Sequence, residues 1–472
     1  MDLVAALVDR LGSDRVKDHP LDRTIFAKDA GITSGPVAAI VFPETAEEVA
    51  ACVDIGRRCN VPVVARGAGT GLAGGAVPVT PSLLVVLTRM NRIHEVDPVG
   101  GTAWVGPGVI NLDLTRAVAH LGLHFAPDPS SQQSCTVGGN VGTNAGGPHC
   151  LSEGTTTAHI LALEMVTGDG EVVMVGSGGP DPPGLDLRAA VVGSEGTVGI
   201  VTRVLVRLTV DPPAARTMLV AFPDISSAAA TVSAVIADGL VPAALEMMDR
   251  NMVRAVENFV HAGYPTDAAA VLLVELVGLE AGVAAETSIV AEIAAGNGAT
   301  EVRVAADEAE RALLWKGRKS AFGAVAQNAP DYYLHDTVVP RTKLVEVMSR
   351  VYEIADRHGL TLMNVFHAGD GNLHPLVSFD AAEPGTFDRV MAAAKEMVEV
   401  SVAAGGALSG EHGIGLEKRD LMGSVFSALD LDAQARLREA FDPGLLLNPG
   451  KVLPEGSRCF DRSVGTYAVE PS

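Results

Sequence analysis

At 472 residues the chain is too long for one ordinary core, which predicts two or three domains. Hydrophobic residues make up 47%, enough for a sizeable core and too many for wholesale disorder. The net charge of −22 argues against nucleic acid and anionic lipid as partners, because their phosphates would be repelled, although a local group of cations can still receive a small anion.

Residues 1–18 lack a basic start followed by an apolar run, so they read as a short amphipathic helix rather than a signal peptide. No stretch reaches the ~18 apolar residues of a membrane span; the richest, 225–248, is broken by Asp238 and Pro242. The five cysteines (Cys52, Cys59, Cys135, Cys150, Cys459) show no C-x-x-C spacing. This argues against a disulfide framework, a cysteine zinc site or an iron–sulfur cluster in this chain, and predicts a cytoplasmic protein, with attachment to the membrane periphery through an acceptor complex as the alternative.

Residues 37–60 read as strand, Pro-Glu turn and helix, with Thr45 as N-cap and Glu48 at capping-box spacing. From about 67 to 199 glycine is dense, and short β-rich runs (VPVVAR, LLVVLT, TAWVGPG, GIVTRVLVRL) alternate with Gly/Asn/Thr loops. After Asp211 and two prolines the texture changes. Alanine-rich helices at 226–238 and 281–295 alternate with strands MLVAF, AVLLVEL and TEVRVA, an α+β domain beginning near Pro212. Residues 407–454 are again rich in glycine and helix signals.

Gly69, Gly71 and Gly74 fit G-x-G-x-x-G after a strand, but the dinucleotide reading needs a helix opening there. Residues 75–81, with two prolines and β-branched neighbours, disfavour one. What remains is a run of backbone N–H groups without side chains, a concave nest for phosphate oxygens to which Arg66 adds charge. A second segment, 127–150, is long, polar and almost uncharged, with Thr136, Asn140, Thr143 and Asn144 suited to a hydrogen-bonding cofactor surface. A third, VVGSEGTVGIVT, sets Gly193, Gly196 and Gly199 around a strand start.

These three segments in this order resemble the flavin-binding domain of the vanillyl-alcohol oxidase/PCMH superfamily. Through AGGPHCLSEG, DYYLHDTVVPR, NVFHAGDGNLHP, SGEHGIGLEK and LLLNPGK the chain is similar, over residues 37–454, to its FAD-linked glycolate oxidase, D-lactate and D-2-hydroxyglutarate dehydrogenase group. The resemblance implies an α+β fold: an N-terminal helical segment (1–34), a PCMH-type FAD-binding domain of two α+β subdomains (35–212), a substrate or cap domain (213–406) and a C-terminal segment returning to the flavin (407–472). It implies that Arg66, Gly67, Ala68, Gly69, Thr70, Gly71, Gly74 and Gly75 hold the FAD pyrophosphate. Gly138, Gly139, Asn140, Thr143, Asn144, Ala145, Gly146 and Gly147 would line the ring and ribityl region, joined by Pro127, Asp128, Ser134, Thr136, Gly154, Gly196, Ile200 and Asn448. Some relatives tether flavin through a histidine in the first loop; Ala68, Gly69 and Thr70 stand there instead, so noncovalent FAD is expected. His149 and Cys150 have open roles, packing being the simplest.

In TLMNVFHAGDGNLHPLVSF, apolar strands flank Asp370-Gly371, a strong hairpin signal. A two-residue loop pairs Gly369 with Asn372, Ala368 with Leu373 and His367 with His374, setting the two imidazoles on one face with Cβ atoms roughly 4.5–5.5 Å apart. Two imidazoles so placed can share a metal ion, and SGEHGIG offers Glu411 and His412 as further donors. The resemblance assigns His367, His374 and Glu411 as ligands and His412 as catalytic base; the donor set suits zinc, manganese or iron.

Trp315, Arg318, Lys319 and Phe322 share one face of a predicted helix. The resemblance makes Arg318 the holder of a substrate carboxylate, a task its planar fork suits. Where hydroxyglutarate enzymes carry polar groups for a second carboxylate, Phe322 and Leu334 stand here, which favours glycolate or D-lactate. The implied activity is FAD-dependent oxidation of a small 2-hydroxy acid, with electrons leaving to an external acceptor: a ferredoxin-like partner subunit, a quinone or an electron-transfer flavoprotein. The alternatives are a D-2-hydroxyglutarate dehydrogenase, an oxygen-using oxidase of another alcohol, and a noncatalytic FAD-binding subunit of a larger oxidoreductase. A homo-oligomer is compatible with any of these.

Overall fold

The computed structural model describes residues 1–179, 183–327 and 329–454; Cys459 lies outside them. The chain forms two packed units. Among the described residues the first comprises 1–146, 155–211 and 411–454; the second comprises 147–154 and 212–410.

The first unit begins with the expected amphipathic helix, Leu3–Leu11. Strand Val37–Val41 leads through the Pro-Glu turn to helix Ala46–Cys59, which buries Val49, Cys52 and Val53 against Ala39, Val41, Leu83 and Val85. Thr45 caps that helix by accepting from the Glu48 N–H at 3.2 Å. The capping box is only half formed, because the Glu48 carboxylate accepts from the Glu44 N–H and pairs with Arg15 at 2.7 Å. Strands Val37–Val41, Ser82–Val86 and Val63–Arg66 run parallel, and Val16–Lys17 adds an antiparallel edge. No helix opens after Gly75; irregular backbone carries the chain to Ser82.

A second, antiparallel sheet runs in the order Ile93–Asp97, Thr102–Val105, Ile200–Arg207, Ile160–Val166, Val172–Gly176. Composition predicted loop for the polar segment 127–150, yet Val137–Thr143 is helical. Thr136 caps it by accepting from the Gly139 N–H, Val137 and Val141 bury one turn apart against Leu163 and Val204, and Asn144 ends it at φ 53°. Capping and two buried valines outweigh the poor propensity of three glycines.

The second unit is a nine-stranded sheet, with Ala214–Phe222, Ala270–Gly278, Ala244–Asp249 and Thr361–His367 at its centre. Helices Ile225–Ala237, Glu280–Gly296, Leu344–His358 and Thr386–Ala403 contribute Val232, Val290, Val347, Val351 and Met397 to the same core as Phe222, Leu272 and Phe366. Alternating helix and strand texture after residue 211 thus produces one layered α+β core.

The hairpin register differs from the two-residue reading. His367 pairs with Asn372, so residues 368–371 form a four-residue loop. The tighter turn needs φ > 0 at both central residues; Gly371 has φ +80° but Asp370 does not. Gly371 is also held from outside: its carbonyl accepts from the Val339 N–H at 3.0 Å, and a Cβ there would lie 2.2 Å from Val339 O. Asp370 instead closes the loop by accepting from the Asn372 N–H. Since Asn364 pairs with Pro375 in the same register, His374 falls opposite Val365, diagonal to His367 rather than facing it.

Candidate active site

Two groups of residues carry chemistry, the glycine segments of the first unit and a histidine pair of the second, while Glu411 and His412 open the last segment of the first unit. In the first unit, Gly69 takes φ +77°, and a Cβ there would meet Arg66 Nη2 at 2.0 Å, so glycine leaves room for the guanidinium. Arg66 is buried, lies over the Phe26 ring at 5.5 Å and feels the charge of Asp29, yet its Nη1 has no protein partner. Asp29 ties down the loop by accepting from the Gly31 and Gly74 N–H groups at 2.8 and 3.0 Å. Asn448 donates to both Gly75 O and Glu195 O, and Lys451 donates to its Oδ1. Glu195 accepts from the Ile414 and Gly415 N–H groups; burial pushes its carboxyl up, opposed by those donors and the charges of Lys451 and Lys418. Burial drives the Lys451 ammonium down to about 7.

Asn140 Nδ2, on the helix behind the second glycine segment, is likewise buried without a protein partner. Buried donors normally find acceptors, and a guanidinium more so. Arg66 and Asn140 therefore fit a ligand with an anionic part and hydrogen-bonding edges, which a dinucleotide pyrophosphate and flavin supply. Thr143 donates to Gly139 O and Asn144 Oδ1 accepts from the Thr157 N–H, so these two side chains are used within the fold. Gly138 permits packing on Pro107, where a Cβ would approach to 2.5 Å.

In the second unit His367 and His374 are buried and their rings stand edge to face, centroids 5.1 Å apart. Both are braced by buried carboxylates that sequence reasoning missed. Glu246 lies on the neighbouring strand in direct register with His367, and its Oε1 is 2.7 Å from His367 Nδ1. Its Oε2 is 2.5 Å from Arg318 Nη2. Burial alone would push the Glu246 carboxyl up; the Arg318 charge and His367 outweigh it and hold it below the usual range. Asp336 accepts from Ser409 Oγ at 2.5 Å and from the Gly410 N–H at 2.9 Å, and its Oδ1 lies 3.5 Å from His374 Nε2. A Cβ at Gly410 would meet the Asn372 side chain at 2.3 Å. Two imidazoles so placed, with a carboxylate behind each, are a donor set that fits a divalent cation. Glu411 follows Gly410 and opens the last segment of the first unit. The next residue, His412, has Nε2 at 3.8 Å from Glu411 Oε1.

Arg318 is 1% exposed. Besides the Glu246 contact, its Nε is buried without a protein acceptor, which leaves a donor for a ligand anion. His149 stacks on Trp315 and lies 3.4 Å from Glu275, and Cys150 Sγ accepts from the Gly147 N–H, so both pack within the second unit. The signal for Glu246 was a charge in the middle of the apolar run AALEMM; that for Asp336 lay in DYYLHDTVVPR, and that for Glu195 in a glycine run whose glycines drew the attention.

Fold and matches together define a FAD-linked oxidoreductase. The family model described as FAD linked oxidases, C-terminal domain, matches residues 211–452, and that described as FAD binding domain matches 37–176. The chain belongs to the FAD-linked oxidase family. It is 47% identical over 420 residues to glycolate oxidase subunit GlcD of Escherichia coli K12, covering 89% of this chain and 84% of that one. It is 32% identical to D-lactate dehydrogenase of Anaerostipes hadrus, covering 88% and 89%. The fold matches the crystal structure of p-cresol methylhydroxylase at a TM-score of 0.81 and 18% identity over 96% of this chain and 97% of that one, a likeness of fold alone. The resemblance to the vanillyl-alcohol oxidase/PCMH fold read from the glycine segments is thereby confirmed. Among the described residues no helix is long and apolar enough to cross a membrane.

Proposed function

We propose that this chain oxidises a small 2-hydroxy monocarboxylic acid, glycolate or D-lactate, to the 2-oxo acid, using noncovalent FAD and a divalent metal held by His367, His374 and Glu411. The observation that carries the reading is the buried pair of imidazoles His367 and His374, centroids 5.1 Å apart with Glu246 and Asp336 behind them, in a chain whose relatives are named for glycolate and D-lactate. Arg66, Asn140 and the glycine loops would hold the FAD. When bound, FAD would accept the hydride equivalent leaving C2, and the cation would lend Lewis acidity at the hydroxyl.

The chain's own part is placement and proton transfer. Arg318 binds the substrate carboxylate through the edge that Glu246 leaves open, which fixes the direction of the C2–H bond. His412 takes the hydroxyl proton at an imidazole nitrogen. Phe322 and the buried Leu334 offer a second carboxylate no charge partner, which supports a monocarboxylate. Electrons then leave to an external acceptor or partner redox subunit.

The test is anaerobic mixing of the purified FAD-loaded protein with glycolate, D-lactate, L-lactate and D-2-hydroxyglutarate while watching the visible flavin band. Glycolate or D-lactate should bleach it fastest. If D-2-hydroxyglutarate is much faster, the monocarboxylate reading fails; if none bleaches it, the 2-hydroxy-acid reading fails.

A further inference from the structure

We infer that Glu246 is a positioning residue that couples the metal centre to the carboxylate clamp, one oxygen fixing His367 and the other fixing Arg318. The inference rests on the reading of His367 as a metal ligand and Arg318 as the substrate's anion partner. It goes beyond that reading, because Glu246 itself would touch neither metal nor substrate.

The geometry leaves Glu246 little other role. It is 1% exposed on strand Ala244–Asp249, in register with His367, so the backbone ladder sets the two side chains opposite each other. Oε1 at 2.7 Å from Nδ1 makes that nitrogen the protonated one and fixes the ring, as an outer carboxylate does for a histidine that ligates through its other nitrogen. Oε2 at 2.5 Å from Arg318 Nη2 takes one arm of the guanidinium and leaves Nε unpartnered. Both partners present N–H groups, so the bridge needs two acceptors. A carboxylate supplies two; an amide of the same shape supplies one acceptor and one donor, and sets a donor against a donor on one side. With no solvent at the position, water cannot repair the mismatch.

Glu275 provides the comparison. It is equally buried in the same unit and is also shared between partners, Arg311, Thr217 and Trp315, none of them a proposed ligand. A merely structural carboxylate should behave like Glu275.

The experiment uses the full FAD-loaded chain, stripped of metal and titrated with Zn2+ or Mn2+ against a chromogenic chelator. Glu246→Gln should weaken metal affinity about 10–100-fold with flavin content unchanged, the range found when an outer partner of a ligating histidine is removed. At saturating metal kcat should largely recover while KM for the hydroxy acid stays raised, because Arg318 has lost its anchor. Glu275→Gln should leave metal affinity unchanged. If Glu246→Gln binds metal as tightly as wild type, or if Glu275→Gln weakens binding equally, the inference is overturned while the metal reading stands. If the wild type binds neither ion, the metal reading fails first. Should Glu246→Gln not accumulate, Glu246→Asp keeps the charge but cannot span both partners; an unchanged affinity there also overturns the inference.

Discussion

The first unit and the second solve the problem of holding a reactive group by opposite means. Around the glycine segments the first unit presents backbone and a few buried donors, Arg66 and Asn140, and keeps side-chain bulk out: Gly67, Gly69 and Gly75 each sit where a Cβ would come within 3 Å of a neighbouring side chain. The second unit does the reverse. It buries imidazoles and guanidinium groups and braces them with the carboxylates Glu246 and Asp336. The difference teaches which substitutions each region will tolerate. Added volume should injure the first and lost charge the second, because a cradle fails by being filled and an ionic network fails by being left uncompensated.

The largest expected effect separates the two regions outright. His374→Ala removes one of two imidazoles from the proposed metal site and leaves every residue of the glycine segments in place. Flavin content should stay near wild type, while the rate of anaerobic flavin reduction by substrate falls about a thousandfold or more, the equivalent of several kcal/mol of Lewis-acid assistance. Stopped-flow reduction with flavin quantified from the same sample checks both halves. Unchanged reduction would remove the metal from the chemistry; loss of flavin would show that the regions do not act independently.

A smaller effect sharpens the electrostatic side. Glu275 would be pushed up by burial, but the hydrogen bond from His149, the Arg311 charge and the Thr217 hydroxyl together hold it at about 2. Its folded-state value lies below the unfolded one, so its stabilisation is complete above the unfolded carboxyl range and is lost as pH falls from about 4.5 towards about 2. A shift of that size corresponds to about 3 kcal/mol in neutral solution, as an order of magnitude. Glu275→Gln should lower the thermal midpoint at neutral pH and make stability fall less steeply with acid than in wild type. Parallel pH–stability curves for the two proteins would show that the network is not what holds this region.

Much of this contrast was legible in the sequence, and the illegible part has physical causes. The apolar runs at 63–66, 82–86, 200–207 and 270–278 became strands because a buried strand writes itself as consecutive apolar residues. The change of texture after Asp211 marks where a glycine-rich chain gives way to helices that must bury an alanine-rich face. Helix Val137–Thr143 was hidden because its stabilisation comes from the Thr136 cap and two buried valines, not from propensity. The hairpin register was misjudged because Val339, more than thirty residues earlier, fixes Gly371 from outside the loop. His367 and His374 still met, since a shift of two residues returns a side chain to the same face. Glu246 could not be foreseen at all: it is 121 residues from His367 and reaches it only through strand pairing.

The gentlest test addresses the cradle. Gly67 follows strand Val63–Arg66, and a Cβ there would lie 2.4 Å from Thr136 Oγ1, the atom that caps helix Val137–Thr143 by accepting from the Gly139 N–H at 3.2 Å. One methyl group should therefore push on a capping bond and on the first glycine segment together, at a cost of about 1–3 kcal/mol as overpacking. Gly67→Ala should purify with less flavin and a lower thermal midpoint, partly restored by excess FAD through mass action. Its affinity for Zn2+ or Mn2+ should match wild type, the mirror image of His374→Ala. Full flavin occupancy in Gly67→Ala would mean that Thr136 can rotate away, and that the close approach at residue 67 serves packing rather than the cofactor.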